Sequence, residues 1–250
     1  MKTVRSSTSR SFLNISLVTA VACAAAATLV ACGGGSDAVG PGGGYGSGNG
    51  AGPLGAGPQS AQAALQLAGS LDAVAPAPLS SAEATSLAFM REEEKLARDV
   101  YAAMYSQWGL FVFANIGASE QTHMDAVKLL LTRYSLPDPA ATTAAGVYAD
   151  PALQALYNGL LASGRVSLVD ALKVGAEIED VDIRDLRAIR AVVDNADLLL
   201  VIGHLEQGSR NHLRAFHDNL ARLGASYVPK YISQADYDAI VNTPKEPGER

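Results

Sequence analysis

Four stretches of the chain repeat apolar residues at helical spacing. In "LSSAEATSLAFMREEEKLARDVYAAMYSQW" the residues Leu87, Met90, Ala97, Tyr101, Met104 and Trp108 follow one helical face, and Ser80 stands three before Glu83 as a capping box. This predicts an amphipathic helix of about seven turns. Ile116, Val127, Leu130 and Tyr134 place a second helix over roughly 115–135, stopped before Pro137. A third long helix is capped by Ser167 ("SLVDALKVGAEIEDVDIRDLRAIRAVV"), and a fourth ("DNADLLLVIGHLEQGSRNHLRAFHDNLARLG") closes at Gly224. Asp150, Pro151 and Gly164 bracket a shorter helix. No segment sustains strand alternation. The pattern predicts an all-α fold, a four-helix bundle with a short extra helix between the second and third long helices. An up-down turn would need far fewer residues there, so the connection is a surface excursion or a crossover. The tail "YVPKYISQADYDAIVNTP" is expected to pack on the bundle and then fray.

Each apolar line also carries ionisable residues. Glu94 lies three, four or seven places from Leu87, Met90, Ala97 and Tyr101; Glu120 and His123 lie between Ile116 and Val127. Glu179 sits among Leu172, Ala176, Ile183 and Leu186, with Asp182 one turn on, and His212 shares a line with Leu205, Gly208 and Phe216. Burying an unpaired carboxylate costs several kcal/mol, against a whole-domain stability of about 5–15 kcal/mol. No Lys or Arg lies on those faces, so divalent metal ions are the economical counter-charge. A Glu and a His three apart stack on one face and can reach one ion, and a carboxylate–imidazole set suits iron or manganese. The candidate metal ligands are Glu94, Glu120, His123, Glu179, Asp182 and His212. Without metal, protonated carboxyls hydrogen-bonded to the two histidines would be the alternative.

The other polar residues are expected to be ordinary. Glu92, Glu93, Lys95 and Arg98 read as a solvated face, as do Glu177, Asp180 and Asp185 with Arg184 and Arg187 to pair with them. His204 and His217 read as surface or outlying groups, and Tyr101 as core packing.

Composition adds a compartment. Lys2, Arg5 and Arg10 precede the apolar run "FLNISLVTAVACAAAATLVA", as in an export signal, and its end, "LVAC", resembles the lipobox of bacterial lipoproteins. That resemblance implies a signal peptide over 1–31, cleavage before Cys32, lipid on its sulfur, and an exported chain anchored to a membrane; an ordinary secretory signal is the alternative. The formal charge of −6 argues against nucleic acid, and processing would remove three cations and no acids. Residues 32–78, rich in Gly, Ala and Pro, read as a disordered tether with a root-mean-square span on the order of 35–40 Å. The bundle domain is then 79–250. Of the two cysteines, Cys23 leaves with the signal and Cys32 carries lipid, so any metal is held by oxygen and nitrogen.

"EKLARDVY" (94–101) resembles the first-helix motif of rubrerythrins, which selects Glu94 over its neighbours as the ligand. With "SEQTHMDAV", "VGAEIEDVDIRDL" and "SRNHLRAF", the span 85–220 resembles a bacterial and archaeal ferritin-like family classed as a domain of unknown function. The resemblance implies a ferritin-like bundle and a dinuclear centre of two divalent ions, iron first and manganese second. That pattern asks for Glu-x-x-His on the fourth helix, where Ser209 stands in place of the acid. Glu206 is rotated away from the line, and Asp182 is the nearer replacement. The expected activity is that of a ferroxidase or a peroxide-reactive oxidoreductase; the alternative is a non-catalytic metal-binding or interaction module on the cell surface. Rubrerythrins also use a cysteine site for electrons, and none is available here, so electrons would come from a partner or from Fe(II) itself. A homo-oligomer is compatible with all of this.

Overall fold

The computed structural model describes residues 66–247. The expected signal peptide, Cys32 and the tether as far as residue 65 lie outside the described residues. The stretch 66–78, expected to be tether, is ordered. Residues 66–72 are helical, because Leu67 and Leu71, one turn apart, bury themselves against the bundle.

The described residues are all-helical. Helix α1 is Ser81–Trp108, with both arms of the Ser80/Glu83 capping box formed. Gly109 ends it in the left-handed conformation (φ 65°), donating its N–H to Tyr105 O, and this turn lets α2, Phe111–Arg133, start four residues sooner than expected. Helix α3 is Pro151–Gly164, capped by Asp150; α4 is Leu168–Arg190, capped by Ser167; α5 is Ala196–Arg222. The tail forms a further helix, α6, Gln234–Val241, where a packed segment followed by fraying was expected.

Cap contacts fix the direction of each helix. Glu83, in the first turn of α1, accepts from Asn195 at the start of α5 (Nδ2 to Oε1, 3.0 Å), so these helices run parallel. At the other end Trp108 Nε1 donates to Gly164 O (3.0 Å), beside the start of α4. Hence α1 and α4 are antiparallel, α2 and α4 are parallel, and the segment 134–167 is a crossover that travels the length of the bundle.

That crossover changes the environment of α1. Lys95, expected in water, is 1% exposed: its Nζ pairs with Asp99 (2.9 Å) and donates to Ala144 O and Val147 O (2.8 and 3.1 Å). Glu92 accepts the N–H groups of Ala149 and Asp150 (2.5 and 3.0 Å), and Arg91 pairs with Asp138 (2.9 Å). Glu93 is buried too, and Arg98 is half-buried. The expectation of a solvated face was therefore wrong, because a distant segment of chain covers it. Asp180 is corrected in the same way. It is fully buried and accepts from Lys230 N, Tyr231 N, Ile232 N and Tyr227 Oη, which fastens the tail to α4. Asp185 is buried in a pair with Arg184; Glu177 alone of the three is partly exposed, in contact with Lys230.

The apolar core falls into two clusters. One surrounds Val100, Tyr101, Phe113, Leu172 and Phe216; the other surrounds Leu87, Met90, Val127, Leu186 and Leu205. At Gly175 a Cβ would stand 2.3 Å from the Phe216 ring, so the glycine allows α5 to lay that ring on α4.

Replacing Asp180 by Ala leaves three backbone N–H groups without their acceptor. We expect a loss of about 3 kcal/mol, with limited proteolysis cutting first between residues 225 and 247; an unchanged melting temperature would show that the tail is held otherwise.

Candidate metal centre

Between the two apolar clusters lies a layer of acids and imidazoles, one or two from each long helix. The helical repeat that turns Leu87, Val127, Leu172 and Leu205 inward turns Glu94, Glu120, His123, Glu179 and His212 inward with them. All five are at most 6% exposed. His123 Nδ1 lies 2.8 Å from Glu120 Oε2 and 3.3 Å from Glu94 Oε2. His212 Nδ1 lies 2.9 Å from Glu120 Oε1 and 3.4 Å from Glu179 Oε2. The two imidazole centroids are 5.5 Å apart.

These side chains form two groups, Glu94–Glu120–His123 and Glu120–Glu179–His212. Within each, one donor atom per residue lies within 4.8 Å of the others, so each group can hold a metal ion. Glu120 belongs to both. It offers one oxygen toward each histidine.

The sixth candidate, Asp182, stands in neither group. It is 7% exposed, and its Oδ2 lies 2.5 Å from Ser209 Oγ, which is itself 2.8 Å from Leu205 O. Asp182 thus extends from α4 to the position where α5 carries serine. Glu206, by contrast, turns outward to Arg187, Arg190 and Arg210.

Tyr101 is more than packing. Its ring stacks against Phe113 and Phe216 with centroids 6.4 and 5.4 Å away, and its hydroxyl donates a short hydrogen bond to Glu179 Oε1. His204 is half-buried, with its ring edge-on to His123 at 5.9 Å; His217 meets Tyr237 Oη (2.9 Å) away from the centre. Glu93, read from the sequence as part of a solvated face, is buried near the centre. Three consecutive glutamates cannot share one helical face, and only long-range packing buries the second of them.

Residues 83–244 match the family described as "Uncharacterized protein domain (DUF2202)". The chain belongs to this family. An uncharacterized protein of Methanocaldococcus jannaschii, MJ0754, is 50% identical over 171 residues, covering 68% of this chain and 92% of the relative. The crystal structure of hypothetical protein MJ0754 aligns with a TM-score of 0.68 at 48% identity, over 69% of this chain and 99% of that one. All six candidate residues fall within the DUF2202 match.

The electrostatics of the DUF2202 centre follow from burial and crowding. Burial drives the Glu94 carboxyl up to about 8, with Glu120 adding to the rise and His123 opposing it. Glu179 is pushed up to about 7 by burial, with His212 opposing and Glu120 reinforcing. Asp182 rises well above its ordinary range through burial and the nearby Glu94. Glu120 goes the other way: burial would raise it, but the facing His212 and His123 hold it well below the carboxylate range. Among the described residues the neighbouring cations are engaged elsewhere, Lys95 with Asp99, Arg91 with Asp138 and Arg184 with Asp185.

A carboxyl whose pKa is raised on folding favours the native state below its unfolded value, near 4.5, and penalises it increasingly as pH climbs through the folded value. Metal-free protein should therefore lose melting temperature between pH 5 and pH 9, by about 5 °C or more, and Glu94→Gln should flatten the slope. Thermal scans in chelator check this; a rise over that range would contradict the assignment.

Proposed function

We propose that this protein is a ferritin-like, dinuclear iron oxidoreductase that reacts with dioxygen or peroxide, tethered outside the cytoplasm through lipid on Cys32. The observation that carries the reading is the membership of Glu120 in both donor groups, the arrangement in which one carboxylate serves two cations. The connectivity agrees. Two antiparallel hairpins, α1–α2 and α4–α5, are joined by a single long crossover, as in ferritin-like bundles.

The donor chemistry fits the group. Glu94, Glu120 and His123 would hold one ion, and Glu120, Glu179 and His212 the other, with Asp182 adjacent. Glu94 Oε1 is buried without a hydrogen-bond partner, an atom that a cation would satisfy. Mixed carboxylate and imidazole donors suit iron, with manganese as the alternative. Bound iron supplies the Lewis acidity and the redox change that polarise and reduce the oxidant. The chain does the rest. Tyr101 orients the Glu179 carboxylate, Phe113 and Phe216 close one end of the layer to water, and the carboxylates can alter their mode of binding as charge changes. Electrons would come from a partner or from Fe(II) as substrate, since two cysteines do not make a rubredoxin-type site.

Protein purified without affinity-tag histidines should retain about two ions per chain after gel filtration, and Glu120→Ala should retain well under one. Unchanged occupancy in the variant would remove Glu120 from the centre. Loading with Fe(II) anaerobically and then adding oxygen separates chemistry from storage of charge. Oxygen consumption with ferric absorption in the near ultraviolet is expected; bound Fe(II) that stays inert would make the protein a non-catalytic metal-binding module.

A further inference from the structure

A buried centre that holds ions needs a way in for them. The two apolar clusters stop both ends of the layer. The crossover lies along α1, held by Lys95 and Glu92, and Asp180 fastens the tail to α4. The seam between α2 and α5 is different, because a half-buried histidine stands in it at the level of the centre.

That residue is His204. It comes two turns after Asp197 on the same face of α5, and Asp197 binds the end of α2 through Arg133 Nε (3.2 Å) and Tyr134 Oη (2.7 Å). Because α5 runs antiparallel to α2, those two turns bring His204 level with His123. The two rings meet edge-on with centroids 5.9 Å apart. Gly203, next to His204, faces open space: a Cβ there would meet no atom beyond its own helix within 4 Å. His123 is wholly buried, whereas His204 keeps part of its surface. The pair therefore leads from the outside of the bundle to a donor of the Glu94–Glu120–His123 group.

We infer that His204 is the entry ligand of the centre, taking a divalent transition-metal ion at the α2–α5 seam and passing it to His123 and the carboxylates beyond. An imidazole captures ions such as Fe(II) or Co(II), while Mg(II) prefers oxygen donors and keeps its waters. With metal–nitrogen bonds of about 2.1 Å, one ion can touch both rings at this spacing, so it moves between donors without returning to water. His204 stands in neither donor group. It is needed while ions arrive and not to hold them afterwards. The inference deepens the dinuclear reading and rests on it.

Stopped-flow uptake of Co(II) by the metal-free protein, followed through the visible absorption of the bound ion, tests it. His204→Ala and His204→Gln should each take up Co(II) about tenfold or more slowly than wild type, yet reach the same number of bound ions. Either variant suffices if the other folds poorly by circular dichroism. His204→Asp, which keeps a donor at the seam, should stay within about threefold of the wild-type rate. Wild-type rates in the Ala and Gln variants would overturn the inference. So would equal slowing in His204→Asp, which would make the side chain a packing element, or fewer bound ions at equilibrium, which would make it a resident ligand. Glu120→Ala in parallel reports on the centre itself: full occupancy there would defeat the dinuclear reading, whatever the His204 result.

Discussion

Acids outnumber cations in the middle of this bundle, and the rest of the structure has to accommodate that. Glu94, Glu120, Glu179 and Asp182 are all buried in one layer, faced by two imidazoles, while the neighbouring Lys and Arg side chains are committed to other partners. Each uncompensated carboxylate costs several kcal/mol, a large part of the stability of a domain this size. The helices tolerate the layer because an apolar cluster grips them on either side of it. The layer is therefore a position where the fold is held together by its ends and opposed at its centre. That is a favourable place for cations to bind, because they relieve a repulsion already present.

Glu120 gives the layer its geometry. Its two oxygens face different histidines, His123 on its own helix and His212 on α5, so it joins the α1–α2 hairpin to the α4–α5 hairpin. Ions held on both sides of it would fasten the hairpins together, and their binding free energy would add to folding. The crossover makes this possible. By carrying the chain the length of the bundle it sets α2 parallel to α4, and the four helices then present their acids and imidazoles at one level.

Much of this was legible in the residues, for a physical reason: an inward-facing ionisable residue interrupts an apolar line of period 3.6, and Glu94, Glu120, Glu179 and His212 each do so. The capping signals at Ser80, Asp150 and Ser167 marked helix starts because those contacts span only a few residues. What escaped depends on partners far along the chain. Lys95 and Glu92 look like a solvated face until the crossover lies on them, and Asp180 looks like surface until the tail brings three backbone N–H groups to it. The early start of α2 followed from one left-handed glycine, Gly109, rather than from any N-terminal capping side chain. Asp182, expected to replace the acid missing at Ser209, bonds to that serine and stands in neither donor group.

The central claim is that cations occupy the layer, and anomalous diffraction from Fe(II)-loaded crystals addresses it directly. Data collected on either side of the iron edge should show two peaks flanking the Glu120 carboxylate, one toward His123 and one toward His212. A map with no anomalous density there, and with the carboxyls bonded only to each other and to the imidazoles, would contradict the account.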